Sequence, residues 1–278
     1  MKIIKNAHKI QTPNGHTINL DIRYPEGGKD MPIAIFSHGF KGYKDWGFIP
    51  YYCNSLAEHS VIAVNFDFSM NGINDPESGM VDVEIFGHNT ISQEIADLNQ
   101  VIKFVVELEE LKFKTNSKLI LIGHSLGGAI SILATNKNNS INKIILLASI
   151  SNCNRYTKRQ SAEWKKLGKL EFEIYETKQK LYLDRSFLDD IEENYPPSRL
   201  CDILGELQTP VLIFHGTEDL SVRIAEGKQL LNAAKNAKML SIPNTGHTFG
   251  IASKFTETND KLEYIINESI NFIQKSNV

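Results

Sequence analysis

Gly-His-Ser-Leu-Gly-Gly at residues 123–128 is the stretch of sequence that decides the fold. An apolar run at 118–122 precedes it, and an apolar segment of helical character follows it at 129–134. A strand, a Gly-x-Ser-x-Gly turn and a helix in this order predict a sharp turn that projects Ser125 from the end of a sheet. Because the turn is so tight, we expect Ser125 to take a positive φ, with small neighbours that let strand and helix approach closely. The N–H of Leu126, at the helix start, is then available to a developing negative charge.

The composition of the 278-residue chain is that of a globular protein, with 41% hydrophobic and 23% charged residues. Its net charge of −3 gives no reason to expect nucleic acid or an anionic membrane as a partner. The first residues lack the apolar core of a signal peptide, and no apolar run reaches the roughly 18 residues that a membrane span needs. We therefore expect no nucleic-acid partner and no membrane partner.

Three widely spaced cysteines, Cys53, Cys153 and Cys201, match neither a disulfide framework nor a zinc site. A reducing compartment, the cytoplasm, is the simplest expectation from this usage. The sequence also contains no glycine-rich phosphate loop and no His-Glu-x-x-His motif. We therefore expect neither a cofactor nor a metal ion.

Short apolar runs alternate with longer segments of helical periodicity, which is typical of a parallel sheet covered by helices on both faces. The predicted strands are 17–24, 33–36, 61–66, 118–122, 144–148, 211–214 and 238–242. The predicted helices, besides the one that follows Ser125, are 46–59, 90–111, 222–234 and 258–274. We expect an α/β fold with a mostly parallel, twisted sheet of about eight strands. Residues 1–150 and 206–278 are expected to form this core.

Residues 151–205 interrupt the alternation with a long, charged and aromatic segment. Helical periodicity near 156–167 is followed by alternation from 170 to 183, which predicts a β-hairpin, and by a short acidic helix at 186–193. An excursion this long within a compact domain is usually functional. We therefore expect a small lid, inserted after the sixth strand; a decorative surface insertion is the alternative.

A serine nucleophile needs a histidine that takes its proton and a carboxylate that orients the histidine. After a turn of this kind the groups follow in the order serine, acid, histidine. Only His215 and His247 come after Ser125. His215 precedes the candidate acids, whereas His247 lies in a loop just past the last predicted strand, where ligands meet open α/β sheets. We therefore predict that His247 is the base.

The acid should follow the strand that ends at Phe214. Residues 216–222 supply two adjacent carboxylates, Glu218 and Asp219. Either could orient the histidine, so the order of residues alone leaves both candidates open.

A second backbone donor for an oxyanion should come from the loop after the second predicted strand. This loop has the sequence Ser-His-Gly-Phe-Lys-Gly at 37–42, and its glycine lets the backbone turn inward so that the N–H of Phe40 faces the site. Phe40 and Leu126 would then form a two-donor oxyanion hole. We expect His38 to support the loop and the side chain of His124 to point away from the substrate.

Four stretches resemble, in the same order, the motifs of the α/β-hydrolase superfamily. They are residues 37–40, 123–128, 215–222 and 246–247. Within the superfamily the chain resembles bacterial esterases near the dienelactone hydrolases, prolyl-oligopeptidase-like hydrolases and cinnamoyl or feruloyl esterases. The stretch 39–48 and a small hairpin-containing lid are typical of that group. The resemblance covers nearly the whole chain.

This resemblance implies Ser125, Asp219 and His247 as a catalytic triad, with the N–H groups of Phe40 and Leu126 as oxyanion hole. It implies no cofactor. The chain departs from the dienelactone hydrolases proper because serine, not cysteine, stands at the nucleophile position. The spacing His-Gly-x-x-Asp-x-x-Val at 215–222 selects Asp219 over Glu218 as the acid.

The function implied is that of a cytoplasmic serine hydrolase whose partner is a small-molecule carboxylic ester, aryl or cinnamoyl-type esters among them. A serine peptidase or aminopeptidase would use the same triad, because a fold does not determine its substrate. A catalytically silent binding protein of this fold is a third alternative, which an intact triad in the expected order disfavours. The sequence does not determine the acyl and alcohol parts of the substrate or the mobility of the lid. It is compatible with a homodimer.

Overall fold

The computed structural model describes residues 1–75, 79–136, 138–174 and 177–275. The strands in these residues are β1 (Ile3–Gln11), β2 (Thr17–Pro25), β3 (Met31–Ser37), β4 (Ile62–Phe66), β5 (Ile73–Asp75), β6 (Met80–Val81), β7 (Thr115–His124), β8 (Ile141–Leu147), β9 (Lys169–Glu173), β10 (Lys180–Asp184), β11 (Val211–Gly216) and β12 (Ala237–Ile242). The α-helices are α1 (Ile49–Glu58), α2 (Val83–Gly87), α3 (Ile91–Glu107), α4 (Leu126–Thr135), α5 (Lys158–Leu167), α6 (Arg185–Asn194), α7 (Arg199–Glu206), α8 (Ile224–Ala233) and α9 (Asp260–Gln274). None of these helices has both the length and the apolar character needed to cross a membrane.

Eight strands form one sheet in the order β1-β2-β4-β3-β7-β8-β11-β12. From β4 to β12 each strand runs parallel to its neighbour, while β2 is antiparallel to both β1 and β4. The predicted α/β fold with a mostly parallel sheet of about eight strands is confirmed. Parallel strands end at one edge of the sheet, so the segments after β3, β7, β11 and β12 emerge close together there.

The strand β1, at one edge of the sheet, has no counterpart among the predicted strands. Its sequence carries two lysines, an asparagine and a histidine, and its residues are exposed or only half buried along the whole strand. The strand β1 therefore lacks the apolar run that predicts the central strands. It forms because its backbone pairs with β2 over the full length, from Ile3 opposite Pro25 to Gln11 opposite Thr17.

Alternate residues of the central strands face two separate hydrophobic cores. In β3, Ile33 and Ile35 face one core, and Ala34 and Phe36 face the other, as the period of two of a strand requires. Helices α3, α4, α7 and α8 contribute to the first core, and α1 and α9 to the second. Described residues from 151–205 contribute to the first core alone. We call the two the insertion-side core and the opposite core.

A helix, two paired strands and a second helix follow one another between β8 and α7. Helix α5 begins with a capping box in which Thr157 and Gln160 bind each other's backbone N–H groups, and it ends at Gly168 with a left-handed φ of 78°. Strands β9 and β10 then pair antiparallel, and α6 follows. The turn of the predicted hairpin includes residues 175–176, which lie outside the described residues. The extent of the lid, residues 151–205, stays a prediction.

Aromatic residues of this insertion are part of the insertion-side core. Trp164 is buried, donates from Nε1 to the carbonyl oxygen of Leu183 over 3.1 Å, and stacks on Phe187 with ring centroids 6.2 Å apart. The insertion is also fastened to α3, where the backbone N–H of Ser92 donates to Asp190 over 2.9 Å. Helix α7, which follows the two strands and α6, packs against α4 and α8.

One carboxyl group lies fully inside the insertion-side half of the molecule. Glu94, in the first turn of α3, accepts a hydrogen bond from the amide of Asn89 over 2.7 Å. Its other carboxyl oxygen, Oε2, has no partner among the described residues. Burial raises the pKa of Glu94 to about 8, against the weaker lowering effect of the Asn89 bond, so the folded protein holds this carboxyl protonated at neutral pH.

We expect Glu94→Gln to flatten the pH dependence of stability between about pH 5 and 8. The pKa of Glu94 rises from 4.5 in the unfolded chain to about 8 in the folded protein. The folded state therefore binds more protons in this range, and the free energy of unfolding falls by up to ~1.4 kcal/mol per pH unit as pH rises. Urea unfolding at several pH values measures this slope. In the control Glu107→Gln, at the exposed end of the same helix, the slope should persist; equal slopes in wild type and Glu94→Gln would contradict the prediction.

Candidate active site

The chain turns sharply at Ser125, between the end of β7 and the start of α4. Ser125 has φ 55° and ψ −117°, a conformation that L-residues rarely adopt. Its backbone N–H donates to the carbonyl oxygen of Leu147 at the end of β8, over 2.9 Å. The structure thus has the strand, the turn with positive φ and the helix that the sequence predicts around this serine.

Two glycines allow this turn to pack against its surroundings. A Cβ atom on Gly123 would lie 2.2 Å from the carbonyl oxygen of Gly127. A Cβ atom on Gly127 would lie 2.2 Å from the carbonyl oxygen of Ser37, at the end of β3. Side chains at these positions would separate β7 from α4 and α4 from β3. The two glycines therefore bring the loop after β3 directly against the serine.

Asp219 and His247 meet after β11 and β12. The Nδ1–H group of His247 donates to Oδ2 of Asp219 over 2.8 Å, and Oδ1 of Asp219 accepts the backbone N–H groups of Ser221 and Val222. Burial by itself raises the pKa of Asp219, but the bonds from His247 and Val222 outweigh it and lower the pKa below its ordinary value. The neighbouring Glu218 is exposed. Of the two carboxylates, the structure brings Asp219 to the histidine.

Ser125 and His247 line one cavity of about 1140 Å³, and Phe40 and Leu126 line it too. A Cβ atom on Gly39 would lie 3.0 Å from Cβ of Ser125, so the backbone that leads to Phe40 passes alongside the serine. The N–H of Leu126 lies in the first turn of α4, where helix N–H groups have no partner within the helix. Asp219 lies behind His247, outside the cavity lining.

His38 holds the loop after β3, in line with its expected supporting role. Its Nδ1–H group donates to the carbonyl oxygen of Gly39 over 2.9 Å, and its Nε2 accepts the backbone N–H of Phe68 over 3.2 Å. Burial lowers its pKa to about 4. His38 is therefore neutral at physiological pH and acts through these two hydrogen bonds.

The side chain of His124 does not point in the direction that the sequence predicts. We expected its side chain to point away from the substrate, but it lines the cavity beside Ser125. Burial lowers its pKa to about 3, and the neutral ring donates from Nε2 to the carbonyl oxygen of His247 over 3.0 Å. Its ring lies 4.8 Å from the imidazole of His247 and stacks with Trp46. His124 thus fixes the backbone of His247, a contact that joins residues 123 positions apart.

His215 supports the acid in a similar way. It is fully buried, and its Nε2–H group donates to the carbonyl oxygen of Val222 over 2.8 Å. The same nitrogen lies 3.5 Å from Oδ2 of Asp219. Burial lowers the pKa of His215, so the ring remains neutral and holds the turn that presents Asp219.

The described residues contain no group of three or more histidine, cysteine, aspartate or glutamate side chains placed to hold a metal ion. A serine and an imidazole that line one cavity, with a carboxylate bound to the imidazole, are groups that nucleophilic catalysis with proton transfer uses. The arrangement offers a hydroxyl, an imidazole whose Nε2 is free to accept a proton, and two backbone donors.

A model of the prolyl oligopeptidase family matches residues 89–272, more than half of the chain. Among solved structures, Est1E from Butyrivibrio proteoclasticus with ferulic acid bound is 20% identical over 96% of this chain and 98% of its own, with a TM-score of 0.72. The α/β hydrolase GrgF from Penicillium sp. sh18 is 15% identical over 98% of both chains, with a TM-score of 0.74. An esterase domain of a Rhodothermus marinus protein is 17% identical over 98% of both chains, with a TM-score of 0.64. No curated protein matches the chain. At these identities the structures demonstrate a shared fold.

We expect Gly127→Ala to destabilise the protein by about 1–3 kcal/mol, because its methyl group would overlap the carbonyl oxygens of Ser37 and His38. Chemical denaturation of the two proteins measures the change. The matched control is Gly205→Ala in α7, where the new Cβ meets only an ordinary contact at 3.6 Å. This control should be more stable than wild type by roughly 0.5–1 kcal/mol. A Gly127→Ala protein as stable as wild type would show that the close approach is not needed.

Proposed function

Because the chain belongs to the prolyl oligopeptidase family of α/β hydrolases, we propose that it is a serine hydrolase that cleaves small carboxylic esters through an acyl-enzyme intermediate. One observation carries the proposal: the imidazole that binds Asp219 over 2.8 Å lines the same cavity as Ser125. The solved structures that share the fold include an esterase domain and Est1E with ferulic acid bound. These relatives support an ester as substrate, with aryl or cinnamoyl-type acyl groups among those to test first.

Acylation begins when Oγ of Ser125 attacks the ester carbonyl carbon and its proton passes to Nε2 of His247. Asp219 holds the imidazole through Nδ1 and stabilises the imidazolium that forms. The N–H groups of Phe40 and Leu126 bind the negatively charged oxygen of the tetrahedral intermediate. Each such donor contributes ~3–4 kcal/mol of transition-state stabilisation.

The acyl–oxygen bond then breaks, and His247 gives its proton to the departing alcohol oxygen. Water attacks the acyl-enzyme, with His247 again as base, and releases the carboxylic acid and the free hydroxyl of Ser125. Apart from the water molecule, every group in this cycle belongs to the chain or the ester, so the scheme requires no cofactor and no metal ion. Its small-molecule partner is the ester itself.

The insertion acts as a lid in this proposal. Cys153, Tyr156 and Phe187 line the cavity from the insertion side. Phe172 of β9 contacts the ring of Phe40, with centroids 5.7 Å apart. A cover of this kind keeps water from the oxyanion and strengthens its hydrogen bonds.

We place the enzyme in the cytoplasm. The proposal is supported by three unpaired cysteines, of which Cys53 and Cys153 are buried. Burial raises the pKa of both thiols to about 12, which makes them unreactive packing groups. Free cysteines without a structural disulfide are usual in a reducing compartment.

We expect Asp219→Asn to lower kcat by about 10³- to 10⁴-fold, because the amide no longer favours the imidazole tautomer that accepts a proton at Nε2. The adjacent Glu218→Gln is the matched control and should keep kcat within about twofold, since Glu218 is exposed. Initial rates with an aryl acetate give kcat for wild type and for both variants. The assignment of the acid fails if Glu218→Gln loses activity and Asp219→Asn keeps it.

A serine peptidase is the second candidate, favoured by the family match. For an esterase we expect kcat/KM for an aryl ester to exceed that for an aminoacyl anilide with the same chromophore by roughly 100-fold or more. Ser125→Ala should abolish both activities. The opposite preference would identify a peptidase. Wild-type protein that turns over neither compound and does not react with a fluorophosphonate would identify a silent binding protein.

A further inference from the structure

The cavity around Ser125 reaches both faces of the sheet. One part of its wall belongs to the insertion-side core and consists of Val81, Ile91, Leu126, Ile150, Cys153 and Phe187. Another part belongs to, or packs on, the opposite core and consists of Trp46, Ile49, Tyr51 and Phe255. Because these cores lie on opposite faces, the cavity extends over both, with one arm along each part of its wall. We call them the insertion-side arm and the aromatic arm.

The aromatic arm lies next to the imidazole of His247. The ring of His247 is 4.8 Å from that of His124, and the ring of His124 stacks with Trp46 at 6.1 Å and an angle of 15°. The backbone N–H of Gly47 donates to the carbonyl oxygen of Ser253 over 2.9 Å. This bond joins the two segments that wall the arm. A group that takes a proton from His247 therefore lies at the mouth of this arm.

The oxyanion donors belong to the other side. Phe40 contacts Phe86 and Phe172 with ring centroids 5.6 and 5.7 Å away, and the side chain of Leu126 is part of the insertion-side core. A carbonyl oxygen held by the N–H groups of these two residues directs one substituent of the carbonyl carbon under the insertion. The other substituent, which His247 must protonate, extends toward Trp46.

The walls of the aromatic arm are rigid. Tyr51 and Phe255 stack with centroids 5.1 Å apart and planes 21° apart. The hydroxyl group of Tyr51 donates to Glu263 of α9 over 2.6 Å, which fixes the ring of Tyr51 in place. Fixed aromatic rings favour a flat aromatic ligand, because stacking adds an attraction that an aliphatic ring of the same size lacks.

We propose that the aromatic arm, walled by Trp46, Tyr51 and Phe255, is the leaving-group subsite and selects an aromatic alcohol. The proposal rests on the proposed ester hydrolysis. When the acyl–oxygen bond breaks, the alcohol oxygen takes the proton from His247 and the alcohol departs through this arm. The acyl group stays on Ser125, under the insertion.

Three acetates that differ only in the alcohol test the subsite: methyl, benzyl and cyclohexylmethyl acetate. The two ring alcohols have the same length and similar basicity, but only one is flat. Wild type should prefer the benzyl ester. Phe255→Leu should lower kcat/KM for benzyl acetate by about 3- to 10-fold and leave the methyl and cyclohexylmethyl esters within about twofold. Phe187→Leu, the matched change in the insertion-side arm, should alter all three acetates by one common factor.

A second measurement uses wild type alone, so it does not depend on the folding of a variant. With methyl acetate as donor, benzyl alcohol and cyclohexylmethanol compete with water for the acyl-enzyme, and the subsite predicts more benzyl than cyclohexylmethyl acetate. Equal transfer to both alcohols, or a benzyl preference that Phe187→Leu removes and Phe255→Leu keeps, would overturn the assignment. Wild type that hydrolyses neither these acetates nor a cinnamoyl ester would instead refute the proposed function, and the subsite with it.

Discussion

The close approach of α4 to the end of β3 is the constraint on which the site depends. Only a residue without a side chain fits at Gly127, where a Cβ atom would lie 2.2 Å from the carbonyl oxygen of Ser37. The same approach forces the chain through the strained backbone of Ser125 and lays the loop of Phe40 beside it. The proposed nucleophile and the proposed oxyanion donors are therefore set by one packing contact. A change that separates the helix from the strand would disturb all of them together.

Burial divides the histidines of the site into two kinds. His38, His124 and His215 are buried, and desolvation lowers the pKa of each, so they stay neutral and serve as hydrogen-bonding supports. The side chain of His247 retains 20% of its exposure and reaches the cavity. The structure thus uses three imidazoles to hold the loops and presents the fourth, proposed as the base, to the cavity.

Local patterns in the sequence predicted the turn at Ser125, its positive φ and the strands of the parallel sheet, because sharp turns and doubly buried strands leave apolar runs and glycines at fixed spacing. They missed β1, whose stability comes from backbone pairing with β2 and not from apolar residues. Adjacent carboxylates cannot be ranked by position alone, since the burial that separates Asp219 from Glu218 arises only when β11 and β12 meet. The hydrogen bond from His124 to His247 cannot be predicted from local sequence either, because its two residues are 123 positions apart.

The packing of the sheet fixes the strand ends, whereas much of the cavity wall lies outside the sheet. Residues of the wall can therefore vary more freely than residues at the strand ends. The groups proposed to react lie at strand ends and one helix start, positions fixed by the packing of the sheet. Part of the wall lies outside the eight-stranded sheet, namely Cys153 and Phe187 on the insertion side and the segments around Trp46 and Phe255. Structures only 15–20% identical keep the fold over 96–98% of the chain. We expect replacement of wall residues to leave the strand ends in place and, under the proposed function, to alter the ligand of each arm separately, because each arm packs on a different core.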